Sequence, residues 1–125
     1  SHSQGEILLV SLVFSSQAGN KRRPVVVVYD SVDADLLVAP ITSHVARTSF
    51  DVTVTQWQRA GLRLPSVVRV DKLATIEKTT IVRQLGKMTP SDWGSITTAL
   101  RGFFEQFFPS KTTAKADPVE NQPEI

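Results

Sequence analysis

Lys21-Arg22-Arg23-Pro24 runs directly into Val25-Val26-Val27-Val28-Tyr29, and this junction decides how the chain is read. Five consecutive β-branched or aromatic residues, bounded by Pro24 and Asp30, are a strand signal. Similar signals lie on both sides. Ile7–Phe14 is an apolar run of strand length, and Leu36–Ile41 is another. Phe50, Val52 and Val54 alternate with Asp51, Thr53 and Thr55, the period-2 pattern of a half-buried antiparallel strand. Ser66–Val70 and Ile81–Leu85 bring the set to about six. The connections are short and rich in turn formers: 15–20 contains Gly19 and Asn20, and 30–35 contains three aspartates expected in a solvated turn. Short strands and short turns in 125 residues predict a mainly β protein, a small SH3-like antiparallel barrel.

Two helices are expected beside it. Thr55–Ala60, followed by Gly61, fits one or two turns with a glycine cap, a short inserted helix. The second lies near the C-terminus. Thr89 can cap, Pro90 takes the first helical position, and Asp92 in the first turn favours the helix dipole. Trp93, Ile96, Leu100, Phe103, Phe104 and Phe107 then recur at spacings of three and four, predicting an apolar stripe against the barrel. Residues 1–4 begin Ser-His-Ser without an initiator Met and read as a tag remnant with a short extension, leaving His44 as the native histidine. Residues 5–108 form the expected domain, and 109–125 a flexible polar tail.

Composition excludes several chemistries. The absence of cysteine removes disulfides, thiolate zinc sites and a thiol nucleophile. No apolar run approaches the roughly 20 residues of a membrane helix, so a membrane-spanning chain is not expected. No membrane partner and a cytoplasmic location are the accompanying expectations. No phosphate loop, nucleophile elbow or metal-ligand spacing is found, and neither a metal nor a cofactor is expected. The overall charge of +2 divides into a body (4–108) with 12 basic and 9 acidic side chains, net +3, and a tail of net −1. A mildly cationic body permits a polyanionic partner without requiring one.

The candidate chemistry is therefore that of arginine, aspartate and hydroxyl groups. Lys21-Arg22-Arg23 is either a solvated basic turn guarding an aggregation-prone strand or a phosphate clamp, with Pro24 setting its direction. Arg69 and Asp71, two apart in Val67-Val68-Arg69-Val70-Asp71-Lys72, would share the outward face of a strand while Val68 and Val70 point inward. They are either a surface ion pair or a cation and carboxylate acting on one phosphodiester. Thr42 and Ser43 end a strand, as turn residues bonding to backbone or as donors to phosphate; His44 follows them. Trp57 and Trp93 are most economically core residues, and base stacking is the alternative. Groups of this kind suit cleavage of RNA, which supplies its own 2′-OH as nucleophile.

In order along the chain, these segments resemble the PemK/MazF family of toxin endoribonucleases. The matching pieces are Gly5–Val10, Asn20–Val27, Leu37-Val38-Ala39-Pro40-Ile41-Thr42-Ser43, Ala60-Gly61-Leu62, Pro65–Leu73, Thr75–Lys78 and Leu85–Thr89, spread over about residues 5–108. The resemblance implies an SH3-like barrel with a C-terminal helix, usually a homodimer. It also implies metal-independent, sequence-selective cleavage of single-stranded RNA (mRNA), neutralised by a cognate antitoxin. Arg23 matches the Arg of the family's Arg-Pro motif, Thr42 its Ile-Thr hydroxyl, and Arg69 and Asp71 its Arg-x-Asp pair. The expected catalytic set is Arg23, Thr42, Arg69 and Asp71, with Asp71 taking the 2′-OH proton and the two arginines stabilising the phosphorane. Lys21, Arg22, Ser43, His44 and Lys72 are the expected RNA-binding positions. His44 or water is the expected donor to the leaving group, because an arginine holds its proton too tightly at neutral pH. Departures are the 15–20 loop, which lacks the Pro and Asp frequent in relatives, and the tail. Two alternatives share the barrel: a gyrase-inhibiting toxin, although the chain ends Gln122-Pro123-Glu124-Ile125 rather than in the Trp-Gly-Ile of that class, and a non-catalytic RNA-binding module.

Overall fold

The computed structural model describes residues 1–13 and 20–109. Most of the 15–20 loop and of the 109–125 tail, both singled out above, lie outside the described residues. Seven strands and one helix follow in the order β1 (Glu6–Val13), β2 (Asn20–Tyr29), β3 (Asp35–Thr42), β4 (Asp51–Val54), β5 (Ser66–Arg69), β6 (Ala74–Glu77), β7 (Ile81–Lys87) and α1 (Pro90–Glu105). Every strand pairing is antiparallel. The path through the sheet is β4-β5-β3-β2-β1-β7. β3 branches: its first half, Asp35–Val38, pairs with β6, and its end, Ile41–Thr42, pairs with β5. The sheet is not closed, since β4 and β7 stand at opposite ends of the path. Its mainly antiparallel β class with a C-terminal helix is as expected; β6 is a strand beyond the six.

The four-valine run makes sense in this arrangement because β2 is buried on both faces. Val26 joins Ile7, Ala39, Ile41, Val68, Val70 and Ile96 in a cluster beneath the helix. Val25 and Val27 face the other way, into Leu8, Val10, Leu36, Val38 and Ile76. Successive side chains point to opposite faces, so an uninterrupted apolar run is what a strand covered on both sides requires.

The segment expected as an inserted helix is instead a series of turns. Ala60 N–H donates to Gln56 O, Gly61 N–H to Gln58 O and Leu62 N–H to Trp57 O, so the spacing changes at each step and no regular helix forms. Two contacts pin these turns. At their start, the buried Asp92 carboxylate accepts from Thr55 N–H (3.1 Å), Thr55 Oγ1–H (2.8 Å) and Gln56 N–H (2.9 Å). At their end, Gly61 (φ +95°) and Gly86 of β7 meet backbone to backbone. A Cβ on Gly86 would lie 1.9 Å from Ala60 O, and one on Gly61 2.2 Å from Leu85 O. Glycine is required on both sides of this crossing.

Helix α1 begins as expected: Thr89 Oγ1 accepts from Asp92 N–H and Pro90 follows the cap. Asp92, expected to serve the helix dipole, also ties the helix to the 55–61 turns. Ile96 is buried, and Trp93, Leu100 and Phe103 pack against the core. The stripe does not continue inward to its end. Phe104 is 44% exposed and Phe107 63%, and both make edge contacts with Phe103, which in turn meets Phe50 at 5.3 Å between ring centres. Asp30, expected in a solvated turn, is nearly buried and ion-paired with Lys78 at 2.9 Å.

Candidate nucleic-acid groove

A groove of about 1000 Å³ opens where the strand ends gather beside the 61–66 segment. Its floor is apolar, from Leu9, Pro24, Ile41, Leu62 and Leu85 among others. Its polar lining carries Arg22 and Arg23 from β2, Thr42, Ser43 and His44 from the end of β3, Arg63 from the connection before β5, Arg69 from β5 and Arg83 from β7. Five arginines therefore converge from four places in the chain, and no aspartate or glutamate is among the described residues lining the groove. Low-dielectric walls with charge of one sign concentrate the field and favour a polyanion. Arg63 and Arg83 were not foreseen. Nothing in their local sequence separates them from surface arginines; β7 lies beside β1, opposite Leu9, and only that pairing brings Arg83 to the groove.

Of the expected residues, Arg22, Arg23, Thr42, Ser43, His44 and Arg69 meet in this groove. Lys21, although exposed on β2, and Lys72 are not among its lining residues. Nor is Asp71. The shared-face expectation fails because β5 ends at Arg69 and Val70–Lys72 is a 3-10 turn. Asp71 therefore lies in the turn and not on the strand, and the strand period does not fix its face. Val68 and Val70 do both point inward. The Asp71 Oδ1 atom is buried and has no hydrogen-bond partner.

The carboxylate that Arg69 does face is Asp51. The two stand directly opposite in the β4–β5 ladder, with Arg69 Nε 3.7 Å from Asp51 Oδ1. The Asp51 side chain is 2% exposed and that of Arg69 33%. Burial alone would raise the Asp51 pKa. The net shift is nevertheless downward, because Oδ2 accepts backbone N–H bonds from Arg47 (2.8 Å) and Thr48 (3.3 Å) and the Arg69 charge lies beside it. Asp51 is thus held as an anion. A smaller cavity of about 260 Å³ adjoins the groove here, lined by Thr42, His44, Val45, Arg47, Asp51 and Arg69.

At the strand end, His44 N–H donates to Thr42 Oγ1 at 3.1 Å. This is the backbone-bonding role that hydroxyls at strand ends usually take. It uses the oxygen as an acceptor and leaves the Thr42 O–H proton for a ligand in the groove. No cluster of three or more His, Asp and Glu capable of holding a metal ion occurs among the described residues, and no helix there is long and apolar enough to cross a membrane.

A mainly antiparallel β chain with a single C-terminal helix and an arginine-lined groove is the class so defined. The chain belongs to the family of PemK-like, MazF-like toxins of type II toxin-antitoxin systems, whose sequence model matches residues 3–104. Among solved structures, it is similar to a mycobacterial endoribonuclease in complex with its cognate antitoxin, at 19% identity and TM-score 0.68, covering 87% of this chain and 100% of that one. It is also similar to the Mycobacterium tuberculosis toxin MazF-mt6, at 27% identity and TM-score 0.62, covering 78% and 96%. A MazE–MazF structure from Deinococcus radiodurans matches at 21% identity and TM-score 0.67, covering 83% and 96%. At identities under 25% the likeness is one of fold. No curated protein sequence matches the chain.

Proposed function

We propose that this chain is the toxin of a type II pair and cleaves single-stranded RNA without a metal, by attack of the ribose 2′-OH on the adjacent phosphodiester. The observation that carries the reading is the groove itself: five arginines and two strand-end hydroxyls, with no carboxylate among the described residues that line it. The 2′-oxygen forms a bond to phosphorus, the bond from phosphorus to the 5′-oxygen breaks, and the products are a 2′,3′-cyclic phosphate and a 5′-OH. Arg23 and Arg69 offset the charge that builds on the phosphorane oxygens. The Thr42 hydroxyl, with Ser43, donates to the phosphate and fixes its position. Arg22, Arg63 and Arg83 hold flanking phosphates.

Proton transfer falls to His44, the imidazole lining both the groove and the adjoining cavity. It takes the 2′-OH proton, and water protonates the departing 5′-oxygen. Asp71, the proton acceptor expected from the Arg-x-Asp resemblance, lies outside the groove lining, and His44 replaces it in this reading. The RNA-binding assignments to Lys21 and Lys72 are replaced by Arg63 and Arg83 on the same ground.

The partner that silences such a site is a cognate antitoxin, an acidic segment ordering over the cationic groove on binding. Of the similar structures, one is an endoribonuclease in complex with its cognate antitoxin and another is a MazE–MazF structure. A homodimer, implied by the family resemblance, is part of the proposal and is read by light scattering.

The test is incubation of the protein with mixed-sequence single-stranded RNA in excess chelator, beside Arg69→Ala, His44→Gln and Asp71→Asn. Discrete fragments ending in cyclic phosphate, formed much more slowly by the first two variants and at the wild-type rate by the third, are the expected outcome. Intact but shifted RNA would make the chain a binding module, and full activity of His44→Gln with loss in Asp71→Asn would return the base to Asp71. Binding of uncleavable RNA should weaken with salt at a log–log slope of about −2 to −3.5, for three to five phosphate contacts at about −0.7 each.

A further inference from the structure

Arg69 is a groove arginine on a short, four-residue strand, and a guanidinium on a flexible stem stabilises a phosphorane only if its fork is held toward it. What holds it is on the neighbouring strand. Asp51 stands directly across the ladder, its side chain 2% exposed. Oδ2 is committed to the backbone N–H groups of Arg47 and Thr48. Oδ1 is buried, has no hydrogen-bond partner, and lies 3.7 Å from Arg69 Nε. A buried anion with an unsatisfied oxygen is costly unless a cation compensates it, and Arg69 supplies the cation. The contact is made at Nε, so the two terminal nitrogens of the guanidinium remain for a ligand in the groove. With its side chain 2% exposed, Asp51 offers little surface to a substrate, and Arg69 is the member of the pair that lines the groove.

We propose that Asp51 is a positioning residue for Arg69: it anchors the Nε side of the guanidinium and the backbone of residues 47–48 together, and so aims the terminal nitrogens at the scissile phosphate. This rests on the ribonuclease reading above and deepens it by adding a residue that neither the motifs nor the family resemblance supplied. The two halves of the Asp51 carboxylate are differently occupied. Asp92, which ties the helix start to the 55–61 turns, has both oxygens taken by backbone and hydroxyl donors. Asp51 has only one so saturated, and the other faces the groove arginine.

The test is a double-mutant cycle on single-turnover cleavage of a mixed-sequence RNA, at a temperature where all variants are folded by circular dichroism. Asp51→Asn keeps an acceptor for Arg47 and Thr48 but loses the charge. It should slow cleavage about 10- to 100-fold per folded molecule, the scale of a misplaced catalytic group. Affinity for the 2′-O-methyl form of the same RNA should not weaken, because removing an anion beside a cationic groove does not oppose a polyanion. In an Arg69→Ala background, Asp51→Asn should have no further effect on the residual rate. In nitrogen-15 spectra, the Arg69 Nε–H resonance should move to the position of solvent-exposed arginines in Asp51→Asn.

Wild-type cleavage with Asp51→Asn at the wild-type rate would overturn the positioning role and leave the ribonuclease reading intact. Equal slowing in the wild-type and Arg69→Ala backgrounds would also overturn it, since the effect would then not pass through Arg69. No cleavage by the wild-type protein would overturn the ribonuclease reading and the positioning role with it.

Discussion

Two aspartates hold their carboxylates away from solvent, Asp92 as a residue only 1% exposed and Asp51 with a side chain 2% exposed, and their surroundings differ. Both have pKa values below the ordinary carboxylate value. In each, burial pushes upward and hydrogen bonds to the charged form prevail: from Gln56 and Thr55 at Asp92, from Arg47 and Thr48 at Asp51. Asp92 is saturated. Oδ1 accepts two bonds from Thr55, Oδ2 one from Gln56, and the residue closes the gap between the helix start and the 55–61 turns. Asp51 is half saturated, and its remaining oxygen meets an arginine rather than a backbone donor. Burial and depressed pKa are common to both, so neither marks function. What sets Asp51 apart is the groove arginine beside its second oxygen.

That contrast can be broken or sharpened in four ways. The largest effect is expected at the other end of the turns that Asp92 pins. Gly86→Ala puts a methyl against Ala60 O and should cost about 3 kcal/mol or more in urea unfolding, because neither backbone can withdraw. A loss under about 1 kcal/mol would mean that the crossing is not rigid.

Close behind, Asp92→Ala removes the acceptor of three donors and should cost about 3 kcal/mol, with the cleavage rate per folded molecule unchanged. Asp51→Asn should cost only about 1 kcal/mol, since an amide oxygen still accepts from the backbone. Reversal of that order would erase the distinction between the two carboxylates.

The pH dependence has one sign for both residues. A depressed folded-state pKa contributes stability that is fully present above the unfolded value of about 3.9 and is lost as the pH falls through the folded value. Stability should therefore decline below about pH 4, and Asp92→Asn should flatten that decline. An unchanged acid limb in the variant would show that other carboxylates govern it. The smallest effect is at the helix cap, where Thr89→Ala should lower stability by about 1 kcal/mol without touching cleavage.

Much of this architecture was legible from residues. The valine run, the 50–54 alternation, and the Thr89-Pro90 start of the helix all report local backbone preference, and each lies where expected. The 55–61 segment misled because helix propensity is weak, and six residues with a terminal glycine satisfy a turn series equally well once Asp92 and Gly86 pin the ends. Arg69 and Asp71 misled for a related reason. The two-residue period holds only while the strand lasts, and β5 gives way to a 3-10 turn after Arg69.

By itself, the sequence determined the fold class, the absence of thiol chemistry, and a repertoire of arginines, hydroxyls, carboxylates and two histidines. These follow from composition and from local periodicity, which need no partner segment. Only the tertiary structure decided which members of that repertoire meet. Arg63 and Arg83 join the groove, Asp71 stays out of it, and Asp51 becomes the counter-ion of Arg69. Strand pairing and burial are long-range, so the spacing of residues along the chain cannot encode which charges face one another across a ladder.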